Sequence, residues 1–310
     1  MIRTIARRLL LVLSAGYILM YFSEHMFWAR FRPGADSLGN YLSTWIAYSL
    51  AGYAVLAVIS TFRVRRPAAV FLAGAVFGWL VEGVIVGTTY ESLPFSISFT
   101  GLAWHAAISV CIGLRLLPAA LRRGGWAAIL APISIGMFFG AWGMNWNANA
   151  AEYHASAAEF ILFACVTSGL LIAAYGIFLA GRASPIRIHR AEGVALLLLA
   201  VFFFILRTVQ QPIALLILPL LLGATFFGLW RNRKREKEAG PLEQPAAPAS
   251  GRALAALLLI PVSAAAVYVP TVRLEWTIPT NIVFYLILMP TGFILYFTSL
   301  ARVVADRRGR

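Results

Sequence analysis

An all-α, polytopic bundle of about ten transmembrane helices is what this sequence predicts, on three observations. Only 12% of its 310 residues are charged and 61% are hydrophobic, whereas a soluble domain carries roughly 25% charged residues to build its water-facing shell. Long apolar stretches recur from end to end, and the basic residues cluster in every second loop between them. The composition excludes a water-soluble enzyme and a DNA-binding domain. The formal net charge of +14 would point to nucleic acid in a soluble chain, but here the placement of the charges matters more than their sum.

A helix needs about 20 apolar residues to cross a ~30 Å hydrocarbon core. Stretches that meet this demand cover 8–23, 41–62, 68–89, 100–120, 126–145, 156–180, 193–209, 212–230, 253–270 and 277–301. The short alternating strands of a β-barrel are missing from the sequence. The first stretch imitates a secretory signal, with Arg3, Arg7 and Arg8 ahead of Leu9 to Phe22. The run from Ser23 to Trp28 is polar and bulky where a cleavage site needs small residues, so an uncleaved helix is expected. The third stretch carries Gly74 and Gly78, then Gly83 and Gly87, and the fifth carries Gly136 and Gly140. Small residues four apart let helix backbones approach closely, which places the third helix at the centre of the bundle. Trp79, Tyr90, Trp104, Trp142 and Trp146 read as an interfacial aromatic belt, with cavity walls as the alternative. Cys111 and Cys165 fall inside spans and read as small core residues without a disulfide.

The seventh stretch has only about 15 apolar residues before Gln210-Gln211-Pro212, or ~22 Å of helix. Its apex is therefore expected below the outer surface, holding Arg207 inside the bundle. After the eighth stretch, residues 231–252 begin with RNRKREKE and continue through Pro241, Pro245 and Pro248. That composition is too polar to pack and too rich in proline to stay helical. It predicts a cytoplasmic linker between an eight-helix body, 1–230, and a two-helix hairpin, 253–310.

The basic loops set the orientation, because short loops rich in Lys and Arg stay in the cytoplasm. Arg3, Arg7 and Arg8 precede the first span, and Arg63, Arg65 and Arg66 follow the second. Arg122 and Arg123 follow the fourth, Arg182, Arg187 and Arg190 the sixth, and the run from Arg231 the eighth. Arg302, Arg307, Arg308 and Arg310 close the chain, whereas the alternate loops hold only Arg30, Arg32 and Arg273. Both termini are expected to be cytoplasmic, in a cell membrane of the bacterial inner-membrane type.

With that topology, the rare polar residues gather at the outer ends of the helices: His25, His105 and His154 with Glu24, Glu82, Glu91, Glu152 and Glu159. Glu82 lies about 10 Å below the outer end of its span at 1.5 Å per residue. An ionised group at such depth costs a few kcal/mol and turns inward to a partner or a wet cavity. The densest segment, EGVIVGTTYESLPFSISFTGLAWH from Glu82 to His105, holds two carboxylates, an imidazole and several hydroxyls around Pro94. Glu82, His105 and Arg207 are expected to share one cavity, with Glu24 or His25 and Glu159 at its rim. Glu82, His105 and Glu91 are the candidate catalytic groups, and Arg207, Glu159 and Trp104 the candidate substrate contacts. His25, Glu24 and His105 form a candidate ligand set for a divalent metal such as Zn²⁺, since bundle sites are assembled from side chains on facing helices.

No phosphate loop, H-E-x-x-H, C-x-x-C or G-x-S-x-G occurs. Glu and His spread over several helices resemble, in style, the intramembrane metal-dependent hydrolases of the CAAX-protease-like and ceramidase-like groups. The chain departs from both in lacking a Glu-Glu pair with a following Arg and a His-x-x-x-His. Ten helices at this length also resemble the drug/metabolite-transporter superfamily, which implies transport instead. The reading that follows is a membrane-embedded hydrolase or transferase acting on a lipid-like substrate, and no nucleic acid. The alternatives are a ten-helix permease and a structural subunit of a membrane complex.

The orientation is tested by labelling. With Cys111 and Cys165 replaced by alanine, a cysteine placed at position 240 should react with an impermeant maleimide only after the cells are opened. Labelling in intact cells would invert the topology.

Overall fold

The computed structural model describes residues 2–32, 34, 36–149, 154–182, 188–235 and 249–305. Among these residues every regular element is helical. Ten helices are long and apolar enough to cross a membrane. They are α1 (Ile5–Trp28), α2 (Leu38–Thr61), α3 (Pro67–Val86), α4 (Ile97–Arg123), α5 (Gly125–Trp146), α6 (Ala157–Gly181), α7 (Arg190–Gln210), α8 (Ala214–Lys234), α9 (Gly251–Arg273) and α10 (Thr280–Ala305). Glu152 and residues 236–248, most of the expected linker, lie outside the described residues. At the start of that linker the chain is still helical, through Arg235.

The helices divide into two compact units that interleave along the sequence. The first comprises Met1–Ala47, Gly113–Ala183 and Ala247–Leu286, the second Tyr48–Ile112, Ser184–Ala246 and Ile287–Arg310. In the first unit α1 packs on α6 through hydroxyls: Tyr17 donates to the carbonyl of Thr167 (3.1 Å), and the hydroxyls of Tyr21 and Ser168 meet at 3.0 Å. There α5 lies against α9, where a Cβ on Gly136 or Gly140 would overlap the carbonyl oxygens of Ile260 or Ala264. The rings of Phe160 and Tyr268 stack at 3.9 Å in the same layer.

In the second unit α3 is buried continuously from Ala69 to Trp79, as its paired glycines predict. Gly74 rests on the backbone of Ala106, and Gly78 sits so near the carbonyl of Gly101 that no side chain fits between α3 and α4. At the other extreme α7 buries none of its residues fully and presents leucines and phenylalanines outward over most of its circumference, as a helix facing hydrocarbon does.

Three expectations are corrected. α7 runs for 21 residues, Arg190–Gln210, because the helix continues through Arg190 and Glu192, where a count of apolar residues stops; it is not a short span. Trp79, Trp104, Trp142 and Tyr90 are buried and form no belt: the indole of Trp79 lies against Gly101 and packs edge-on to Tyr296 at 5.3 Å. Of the two cysteines, neither in a disulfide, Cys165 is exposed and is no core residue.

The close approach at Gly78 predicts an asymmetry between glycines. Gly78→Ala forces backbone apart and should cost about 1–3 kcal/mol or more, as overpacking does. Gly169→Ala, with open space around it, should be neutral or add up to about 1 kcal/mol of helix propensity. Thermal melts of the two variants in detergent compare them directly.

Candidate functional site

Three short polar positions of the sequence coincide with local underwinding of the helix. Glu24 and His25 lie in a π-helical turn, Tyr21–His25; Glu82 lies in another, Val81–Val86; and His105 lies in the π-wound stretch Ile97–Leu116. Such i→i+5 winding is uncommon and concentrates at functional sites, where it re-aims a side chain within an otherwise regular helix.

Within the second unit the winding brings Glu82 and His105 together. His105 Nε2 and Glu82 Oε1 are joined by a hydrogen bond of 2.6 Å, with the side chains only 3% and 11% exposed. The hydroxyl of Thr88 donates to the other carboxylate oxygen, Oε2. Phe77 stands edge-on to the imidazole at 5.6 Å, and Tyr48 lies 6.4 Å from it. These rings hold the pair in apolar surroundings, where an unpaired charge would be expensive and a paired one is held firmly.

The turn that carries Glu82 ends at Gly87, whose φ of +96° puts it in the left-handed region where glycine is unstrained. Its amide donates to the carbonyl of Glu82 (2.9 Å). Arg207 reaches this end from α7. Its Nε donates to the carbonyl of Val84 (3.3 Å), one Nη donates to the carbonyl of Ile85, and the other to Gln210 Oε1 (2.8 Å). A guanidinium at a helix C-terminus satisfies carbonyls left open there and complements the helix dipole. The structure thus uses Arg207 as a cap on the segment that holds Glu82. Tyr90 closes the same end by donating its hydroxyl to the carbonyl of Gly83 (2.8 Å). Burial pushes the phenol up to about 12, against the opposing influence of Arg207, so Tyr90 is a neutral donor at physiological pH. Two further polar atoms, Thr89 Oγ1 and Gln211 Oε1, are buried with no hydrogen-bond partner among the described residues.

The other expected residues are placed elsewhere. Glu91 stands exposed in the loop after Tyr90, and Trp104 is buried beside His105 in sequence, its carbonyl accepting from Ser109 (3.5 Å). Glu159 is exposed at the start of α6, where it and Ser156 form a reciprocal capping box. The Ser156-x-x-Glu159 spacing signals that role in the sequence. His25 belongs to the first unit and is buried among the rings of Tyr17, Tyr21, Tyr41 and Phe163. Glu24, half-buried, accepts from Trp28 Nε1 (3.1 Å). Among the described residues no three His, Cys, Asp or Glu side chains gather to hold a metal. The expected set of His25, Glu24 and His105 is divided between the two units.

No family model, curated protein or solved structure matches the chain. Its functional reading rests on the geometry.

Gly87 gives the site a local test. A Cβ there would meet Arg207 Nη1 at 2.6 Å and Gln211 Oε1 at 2.7 Å. Gly87→Ala should therefore cost about 1–3 kcal/mol of backbone strain and displace Arg207 as well. Gly125→Ala, also at positive φ (+57°) but in open space, should show the strain alone. Melting temperatures of both variants, beside Arg207→Ala, separate the two contributions.

Proposed function

We propose that this chain is a multi-pass membrane protein whose working centre is an acid–base pair, Glu82 and His105, and that it acts as a membrane-embedded hydrolase or transferase on a lipid-like substrate. The observation that carries this reading is the 2.6 Å contact between two buried ionisable groups, with a hydroxyl on the free carboxylate oxygen. A carboxylate that accepts from the hydroxyl of Thr88 at Oε2 is placed to accept from a water or substrate hydroxyl arriving at the same side. His105, on Oε1, takes up or returns the proton as the carboxylate changes charge. General acid–base groups of this kind contribute about 10²–10⁴-fold to rate. Arg207, Tyr90 and Gly87 hold the turn in place and are positioning residues in this scheme.

A second reading is favoured by the enclosure of the pair. Side chains exposed by 3% and 11% admit a proton or a water more readily than a bulky substrate. In that case Glu82 and His105 carry protons that drive transport of another solute.

The two readings divide on whether a lipid is converted or protons are taken up. With wild-type protein reconstituted in vesicles of total bacterial lipid, mass spectrometry should reveal a lipid converted to product. Glu82→Gln and His105→Gln should slow that conversion about 10²–10⁴-fold, with helix content and elution profile unchanged. If no lipid is converted, and a pH gradient instead drives proton uptake that Glu82→Gln abolishes, the transport reading replaces the enzymatic one. If Glu82→Gln changes neither conversion nor proton uptake, the pair has a structural role only.

A further inference from the structure

We propose that the first compact unit binds a zwitterionic phospholipid of the phosphoethanolamine type, with an acyl chain in an apolar cavity and the headgroup in a charged mouth. The site lies wholly in the unit that lacks Glu82 and His105, so it stands apart from the acid–base reading.

The cavity encloses about 480 Å³ between α1, the first turns of α2, and α6, within the roughly 300–1,000 Å³ of small-ligand sites. Leu13, Leu42, Leu170 and Ile177 make up much of its wall, with the edge of Trp45. Leu42, Leu170 and Ile177 are exposed, so the cavity is open along an aliphatic rim. The opening is therefore flanked by aliphatic surface of the kind that faces hydrocarbon, and an occupant reaches it sideways from the bilayer. A dry aliphatic space of this kind takes a hydrocarbon chain and rejects anything that must keep its water.

His25 and Tyr41 line this cavity and also a smaller polar one that adjoins it. The second space is bounded by Glu24, Arg30, Arg32 and Asp36. These groups are ordered before any ligand arrives. Arg32 is 2.7 Å from Asp36 and lies over the Trp28 ring at 4.4 Å, while Arg30 lies over the Trp146 ring at 5.0 Å. Arg32 gives its Nε and Nη2 to Asp36, so a phosphate here would be met by its remaining Nη edge together with Arg30, and preorganisation lowers the entropy lost on binding. Two guanidiniums and two carboxylates sum to no net charge, so a purely anionic or purely cationic head would leave the space charged, whereas a neutral, dipolar head would not. A head that carries a phosphate and an ammonium together matches both pairs. Joined to an acyl chain, that is a phosphoethanolamine lipid.

Native mass spectrometry of the full chain, released from detergent with equimolar phosphatidylethanolamine and phosphatidylglycerol, tests this. Wild-type protein should retain one phosphatidylethanolamine in preference by about fivefold, equivalent to about 1 kcal/mol. Asp36→Asn, which leaves Arg32 without its carboxylate, should turn the preference toward phosphatidylglycerol. Leu170→Trp, which fills the cavity, should abolish retention of either. If Leu170→Trp fails to fold, a phosphatidylethanolamine with a brominated acyl chain should quench the fluorescence of wild-type protein, and Trp45→Phe should remove part of that quenching. Equal retention of the two lipids by wild type, or quenching unaltered by Trp45→Phe, would overturn the proposal.

Discussion

The hydrogen bond between Glu82 and His105 constrains much of the second unit. A carboxylate and an imidazole buried separately in apolar surroundings would each be costly, and removing one partner of such a pair typically costs about 3–5 kcal/mol. For the two to meet at 2.6 Å, α3 and α4 must approach until their backbones touch. Gly74, Gly78 and Gly101 allow that approach. The glycines and the charged pair are two sides of one requirement, because neither helix could bring its polar residue to the other across a layer of side chains.

The end of α3 shows the same economy of parts. Glu82 needs a turn that aims it at α4, and that turn must stop soon afterwards. Gly87 supplies the left-handed stop, Arg207 satisfies the open carbonyls of Val84 and Ile85, and Tyr90 satisfies that of Gly83. In a bilayer such carbonyls would have no water to turn to, so irregular backbone is tolerated only where protein groups bond it. Arg207 is thus held by α7, a helix that buries none of its residues fully and reaches inward with Arg207 to this turn and with Glu192 to the hydroxyl of Tyr53 (2.7 Å).

Much of this was legible in the amino-acid sequence, for physical reasons that also explain the failures. Ten spans follow from length and composition, since nothing but a long apolar run can become such a helix. The meeting of Glu82 and His105 follows from the cost of burying either alone. The sequence points Arg207 to the same region but not to its partners, because a guanidinium that caps backbone carbonyls leaves no mark in the side-chain pattern. Glu159 suits a site rim by its place at an outer helix end, yet Ser156, three residues earlier, marks it as a helix cap. The large aromatics suit an interfacial belt and the interior equally well by composition, and for Trp79 the position of Gly101 opposite it decides for the interior. The cavity beside His25 could not be read at all: empty space is a property of how helices are splayed, not of any residue.

The π-wound turn at Val81–Val86 has a consequence for how this chain tolerates changes in length. Each residue advances a helix by about 100°, and an i→i+5 turn holds one residue more than the α-turn it replaces. Deleting a single residue there would turn the wide turn into an ordinary α-turn: α3 would stay long enough to span a bilayer and keep its faces on either side, while the residues inside the turn, Glu82 among them, would be re-aimed. Length variation inside this turn is therefore absorbed locally, as a re-aiming of the few residues it holds. A lineage that lost one residue from it would keep nearly the same composition and hydropathy profile and the same number of spans, while Glu82 faced a different neighbour.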